Sequence, residues 1–295
     1  MDANERFYDV VIIGGGVAGL SAAIYSARGG AHVAVVEEFA AGGTASTVPE
    51  VENYLGFARI SGYELSEKAA AQAKSFGAEF IYARALSIED GKVKRVKTTA
   101  GELTASALVL ALGSSPRKLG IDGEGEFLGK GLSYCATCDG NFFRGKRVAV
   151  YGAGNHAVKA ANYLLPIAGK VYMLGERLPS VEGATAEVCT RITRLIGSPL
   201  EAVEYETPDG TRKLSLDGLF VELGHAPATD IIKGIVETDQ SGYIKCDEYM
   251  RTSACGIFAA GDARVTPLRQ IVTAAADGAI AGQYAAAYAK KRSRA

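Results

Sequence analysis

The segment "YDVVIIGGGVAGLSAAIYSARGGAHVAVVE" constrains the fold more than any other part of this chain. A β run, Asp9 to Ile13, feeds Gly14-x-Gly16-x-x-Gly19, then an alanine-rich apolar helix, then a second strand ending in Glu37. Glycines at these places permit a tight turn and let backbone amides approach a pyrophosphate, whose charge the helix N-terminus favours. Glu37 follows Gly19 by 18 residues, where an acid accepts from a ribose hydroxyl. The same order recurs in "GKRVAVYGAGNHAVKAANYLL": strand Arg147–Tyr151, Gly152-x-Gly154-x-x-Ala157, helix. The spacing predicts an α/β chain with two Rossmann-like, three-layer βαβ domains.

A distant segment extends the first unit. In "CGIFAAGDARVTPLRQIVTAAADGAIAGQYAAAYA" a short strand from Ile257 runs into Gly261-Asp262, followed by a loop and a long helix of small residues. Asp262 falls at a strand C-terminus, where ligands bind in open α/β sheets. The "AAGD", "RQ" and alanine-rich helix look like the second FAD motif of flavoprotein disulfide reductases. "ALVLALGSSPR", 107–117, resembles the strand and turn that leave the FAD domain in the same proteins. With FAD elements at both ends, the second βαβ unit is expected as an insertion. The FAD-binding domain then comprises 1–115 and 228–295, and the inserted module 116–227. Turn formers mark both crossings, "GSSPR" and "GHAPATD".

The inserted unit opens with "GLSYCATCDGNFF", which holds Cys135 and Cys138. A thiolate attacks a disulfide, and two cysteines three apart at a helix start can close a small-loop disulfide beside a helix end that lowers a thiol pKa. Asp139 is placed to hand a proton to a leaving thiolate. Zinc needs four ligands. The other cysteines, Cys189, Cys246 and Cys255, are isolated, and His32, His156 and His225 lack metal spacing, so no metal is expected. Cys189 alternates with apolar neighbours and is expected in a strand.

The order of FAD βαβ, CxxC, second βαβ and "GD" helix, with "CATCDG", "EVENYLGF", "GDARVTPLRQ" and "LDGLFVELGHAP", resembles the low-molecular-weight thioredoxin reductase family over nearly the whole chain. The resemblance implies a homodimer that binds FAD through Gly14, Gly16, Gly19, Glu37, Gly43, Thr44, Asn53, Ala111, Gly113, Gly261, Asp262, Arg269 and Gln270. It implies that Cys135 and Cys138 are the redox pair, Cys138 meeting the flavin and Cys135 attacking the disulfide of a thioredoxin-like protein, with Asp139 beside them.

The nicotinamide half departs from that family. Its members carry H-R-R-x-x-x-R after the second strand of the inserted unit, and the arginines hold the 2′-phosphate of NADPH. Here Gly175, Glu176, Arg177 and Val181 stand at those places. Gly183 to Ser198 alternates like strand, where an amphipathic helix is expected in the family. The shortened form resembles a subgroup fed by ferredoxin, although the intact G-x-G-x-x-A differs from it. An acidic ferredoxin would want a basic patch, and Arg117, Lys118, Lys130, Arg144, Lys146 and Arg147 cluster in sequence around the CxxC. NADH or NADPH, a dithiol oxidase using oxygen, and a flavin redox sensor without turnover are the competing readings. The net charge of −1 gives no pull toward nucleic acid or membrane. No export signal or bilayer-length apolar run is seen, so the expectation is cytoplasmic.

Overall fold

A computed structural model describes residues 6–48 and 50–293, without the side chains of Cys138, His225 and Ser293. The chain divides into two compact units. Unit 1 is the chain up to Ser115 together with the chain from Ala226, and unit 2 is Pro116–His225.

Unit 1 begins β1 (Arg6–Ile13), α1 (Val17–Arg28), β2 (Val33–Glu37), α2 (Gly62–Ser75), β3 (Glu79–Tyr82), β4 (Ala85–Glu89), β5 (Lys94–Thr98) and β6 (Gly101–Leu110). The sheet order is β3-β2-β1-β6-β5-β4, parallel from β3 to β6 and antiparallel beyond. Val10, Val11, Ile12 and Ile13 are all buried, because a parallel strand covered on both faces reads as a continuous apolar run rather than an alternation. The chain leaves through β7 (Ser114–Pro116).

Unit 2 continues with β8 (Leu132–Ser133), the single turn α3 (Ala136–Asp139), β9 (Arg147–Tyr151), α4 (Asn155–Leu164), β10 (Lys170–Gly175), β11 (Thr185–Val188), β12 (Arg191–Gly197), β13 (Leu200–Thr207), β14 (Gly210–Ser215) and β15 (Gly218–Val221). A parallel sheet runs β11-β10-β9-β15-β8, and β12-β13-β14 form a separate antiparallel sheet. Pleating sends Val148 and Val150 of β9 to one side, against Phe143, Ala157, Ala161 and Leu164. It sends Ala149 and Tyr151 to the other, against Leu195, Leu200 and Val203 of the antiparallel sheet. Unit 2 is thus three-layered, with strands where a second helical layer would lie. The strand-like alternation read over 183–198 corresponds to β11 and β12. Cys189 is corrected: it is buried in the two-residue link between those strands, not within one.

The chain returns through β16 (His225–Pro227), which pairs with β7 as a two-stranded ribbon. Then β17 (Ile257–Ala259) joins β6 in parallel, and α5 (Ile271–Ser293) crosses α1. That crossing is backbone-close: a Cβ on Gly278 would lie 2.0 Å from the Ala18 carbonyl oxygen, and one on Gly282 2.3 Å from that of Ala22. Ser21 Oγ donates to the Ala275 carbonyl at 2.6 Å and Ser26 Oγ to that of Gly282 at 3.0 Å, so hydroxyls stitch the two helices together. No helix among the described residues is long and apolar enough to cross a membrane.

Candidate active site

The C-terminal ends of β1, β2, β6 and β17 collect most of the residues expected around FAD. Gly14 has φ +103°, and a Cβ there would fall 2.2 Å from the Ala111 carbonyl oxygen. A Cβ on Gly19 would fall 1.9 Å from the Gly14 carbonyl oxygen, so α1 packs against the turn only because that position is bare. At Gly16 the nearest atoms to an added Cβ are 4.0 Å away. The space before the α1 N-terminus is therefore open, which fits a pyrophosphate. Glu37 ends β2; its Oε2 accepts from the Gly15 amide at 2.7 Å and its Oε1 from the Phe39 amide at 3.0 Å. One carboxylate fixes the turn and stays half-buried at its rim.

Around this turn the Gly42 amide donates to the Gly15 carbonyl at 2.7 Å, which sets the helical turn holding Gly43 and Thr44 beside it. The Ala111 amide donates to the Ile13 carbonyl at 2.9 Å, and Gly113 follows with φ +66°. Gly261, at φ +74°, would press a Cβ to 2.8 Å from that of Ala18, bringing the Gly261-Asp262 turn against the start of α1. Asn53 Nδ2 donates to Gln270 Oε1 at 3.0 Å, and the Arg269 guanidinium lies 4.2 Å over the Tyr243 ring, where α5 begins.

Sequence reasoning missed a lock on this region. Arg264 and Asp277 form a buried two-point ion pair, Nη2–Oδ1 and Nε–Oδ2 both 2.6 Å. Asp277 Oδ2 also accepts from the Gly261 amide at 3.2 Å. Hydrogen bonding to Asp277 pushes the Arg264 guanidinium up, against the opposing effect of burial. An acid within "TAAADGAIAG" was the available signal, since a lone charge inside an apolar helix requires a partner.

In unit 2, Cys135 is disulfide-bonded, whereas Cys189, Cys246 and Cys255 are free thiols. The Cys138 side chain lies outside the described residues. Asp139 is half-buried, and its Oδ2 accepts from Ser133 Oγ at 2.7 Å. The helix end read beside the pair is corrected in length: α3 has a single turn, so little macrodipole stands behind it. The basic cluster is corrected too. Arg144, Lys146 and Arg147 lie at or before the start of β9, whereas Cys135 follows the end of the parallel strand β8, at the other end of the sheet. The chain from Asp139 to Phe143 travels back along the sheet before β9 begins, so closeness in sequence did not become closeness in space. Arg117 is apart from them, its amide donating to the Gly224 carbonyl at 2.8 Å beyond the end of β15.

The second glycine turn is closed differently from the first. A Cβ on Gly152 would lie 2.4 Å from the Glu222 carbonyl oxygen, whereas nothing stands within 4 Å of one on Gly154. Burial pushes the half-buried Glu222 carboxyl up to about 7. Glu176 is exposed just past β10. No helix follows it; Leu178, Val181 and Ala184 pack directly against the α4 side of the sheet. Burial, and then the Glu176 charge, push the Cys189 thiol up to about 12, which suits a buried, inert thiol rather than a nucleophile. Among the described residues no group of three or more His, Cys, Asp or Glu is placed to hold a metal.

The family model described as pyridine nucleotide-disulphide oxidoreductase matches residues 8–278. The chain belongs to that family. Its curated relatives include the thioredoxin reductases of Listeria innocua, 40% identical over 309 residues with 99% of this chain and 97% of that protein covered, and of Treponema pallidum, 41% identical over 301 residues with 96% and 98% covered. Among solved structures, Lactococcus lactis thioredoxin reductase in its FR conformation superposes with TM-score 0.81 at 34% identity, covering 96% of this chain and 99% of that one. A ferredoxin-flavin thioredoxin reductase from Clostridium acetobutylicum superposes with TM-score 0.56 at 30% identity, covering 96% and 98%. This pyridine nucleotide-disulphide oxidoreductase is therefore a thioredoxin reductase-like flavin disulfide oxidoreductase, and its cofactor is FAD. The turn opened by Gly16, the α1 N-terminus and the Glu37 carboxylate fit that group.

Proposed function

We propose that this flavoprotein reduces the disulfide of a thioredoxin-like protein through Cys135 and Cys138, and that a ferredoxin-type donor, not NADPH, supplies its electrons. The observation that carries the donor assignment is the end of β10. Glu176 stands there instead of an arginine, and the residues from 177 to the start of β11 fold apolar side chains inward instead of forming a helix. A 2′-phosphate would meet the like charge of Glu176, and Arg177 alone remains of the family's arginines.

Bound FAD supplies the two-electron chemistry and can take up electrons singly. The protein's residues do the rest. The amides at the start of α1 bind the pyrophosphate, Glu37 and Asp262 orient the sugar and ribityl parts, and Asp139 supplies a proton as a disulfide opens. A plant-type ferredoxin near about −400 mV can reduce a thioredoxin near about −270 mV, a two-electron difference of roughly 6 kcal/mol. We assign the working form to a cytoplasmic homodimer, for which light scattering of the purified protein is the check.

Anaerobic titration tests the donor. Reduced ferredoxin is expected to bleach the flavin absorbance, and NADPH to leave it. Bleaching by NADH instead would favour a second reading, which the intact Gly152–Gly154 turn and the position of Glu176 support: a nicotinamide nucleotide without a 2′-phosphate, its ribose bonded by that acid.

A further inference from the structure

Ser133 ends β8 and is 2% exposed. Its neighbours Leu132 and Tyr134 pack toward the antiparallel sheet, and Ser133 stands opposite Phe220 of β15, which faces the α4 side. A hydroxyl in such a layer costs free energy unless it is bonded. Ser133 Oγ accepts from the Cys135 amide at 3.0 Å. It lies 2.7 Å from Asp139 Oδ2 and 3.2 Å from the Cys135 carbonyl oxygen. One hydroxyl has one proton to give. The Cys135 carbonyl already accepts from the Asp139 amide at 3.1 Å, and the carboxylate is both nearer and the stronger acceptor. The proton therefore points at Asp139. A single side chain ties both ends of the C-A-T-C-D loop.

We propose that Ser133 is a positioning residue for the redox pair, its hydroxyl holding the Asp139 carboxylate and the Cys135 backbone where Asp139 can pass a proton to the thiolate released at the pair. The inference rests on the reading of Cys135, Cys138 and Asp139 given above. Two electrons from the flavin break the Cys135–Cys138 bond and leave two thiolates; Asp139 relays a proton from water to one of them and returns to the carboxylate that Ser133 bonds. In the outward direction the Cys135 thiolate bonds to a partner sulfur as the partner disulfide breaks. The Cys138 thiol returns its proton to Asp139, its thiolate attacks Cys135 as the mixed disulfide breaks, and the partner leaves as a dithiol that takes one proton from Asp139 and one from water. Other titratable groups on the packed elements are Glu222 past the end of β15 and, on α4, the exposed His156 and Lys159, and Tyr163, whose hydroxyl donates to the Thr137 carbonyl at 3.4 Å.

The test uses FAD-loaded enzyme, reduced anaerobically and mixed with dithiobis(nitrobenzoate), with flavin reoxidation and thiolate release followed across both limbs of the pH profile. Ser133→Ala is expected to slow exchange about 10-fold and to move the acid limb to higher pH, and Ser133→Thr to return it to within about 2-fold. Glu222→Gln serves as control and should leave the acid limb in place. Rates are taken per folded, flavin-loaded enzyme measured at each pH, so the profile decides even if Ser133→Ala is less stable. Wild-type behaviour of Ser133→Ala beside a slow Asp139→Asn overturns the inference alone. A fast Asp139→Asn overturns the assignment of Asp139 beneath it.

Discussion

The two glycine turns share a sequence pattern and differ in what surrounds them. In unit 1 the turn is held on every side: Glu37 bonds the Gly15 amide, Gly42 bonds the Gly15 carbonyl, and Gly261 and α5 press on α1. In unit 2 the turn meets the Glu222 backbone on one side and open space at Gly154, and the strand beyond is followed by Glu176 with no helix after it. The pattern of glycines specifies a backbone path. What can bind there is decided by residues outside the pattern.

Substituting the redox cysteines separates the units most sharply. Cys135→Ser and Cys138→Ser should each cut disulfide reduction by at least about 10³-fold, while the protein stays yellow and its flavin stays reducible. Retained reduction in Cys138→Ser would remove the proposed pair. Next in size is Arg264→Ala, which leaves Asp277 buried without its cation and should cost about 3–5 kcal/mol in chemical denaturation, together with FAD content. Gly19→Ala, whose Cβ would overlap the Gly14 carbonyl, should cost about 1–3 kcal/mol and lower the ratio of FAD to protein. Gly154→Ala in the matching turn should stay within about 0.5 kcal/mol of wild type. Equal losses in the two turns would break the comparison.

The last effect is small and electrostatic. Glu222 holds its proton up to about 7 in the folded chain, against about 4.3 for an unburied glutamate. Between those values the folded state carries the extra proton, so stability falls as pH rises through that window. Melting at its two ends should show Glu222→Gln losing that slope. The difference is at most about 1 kcal/mol, because the carboxyl is partly solvated.

Much of this was legible in the sequence because backbone requirements write themselves as glycine and as apolar runs. Gly14, Gly19 and the strand before them could be read at sight, as could the strands that replace a helix after Glu176. Residues whose role depends on packing were not. Asp277 is paired by a residue 13 positions away, and Gly278 and Gly282 matter only because α1 lies against them. Ser133 carries no sequence signal of its own, since its role depends on its oxygen standing between Cys135 and Asp139. Lys146 and Arg147 misled for the converse reason, since a parallel sheet returns the chain to its starting end before each new strand.

The paired ribbon of Ser114–Pro116 and His225–Pro227 has a genetic consequence. Hydrogen-bonded strands lie about 5 Å apart, so the whole middle segment enters and leaves through one narrow doorway. A tight turn could rejoin the flanking chain if that segment were cut out, and β6 and β17 would still pair. The middle of the gene is thus a cassette. Recombination can exchange that segment while the flavin scaffold is inherited unchanged.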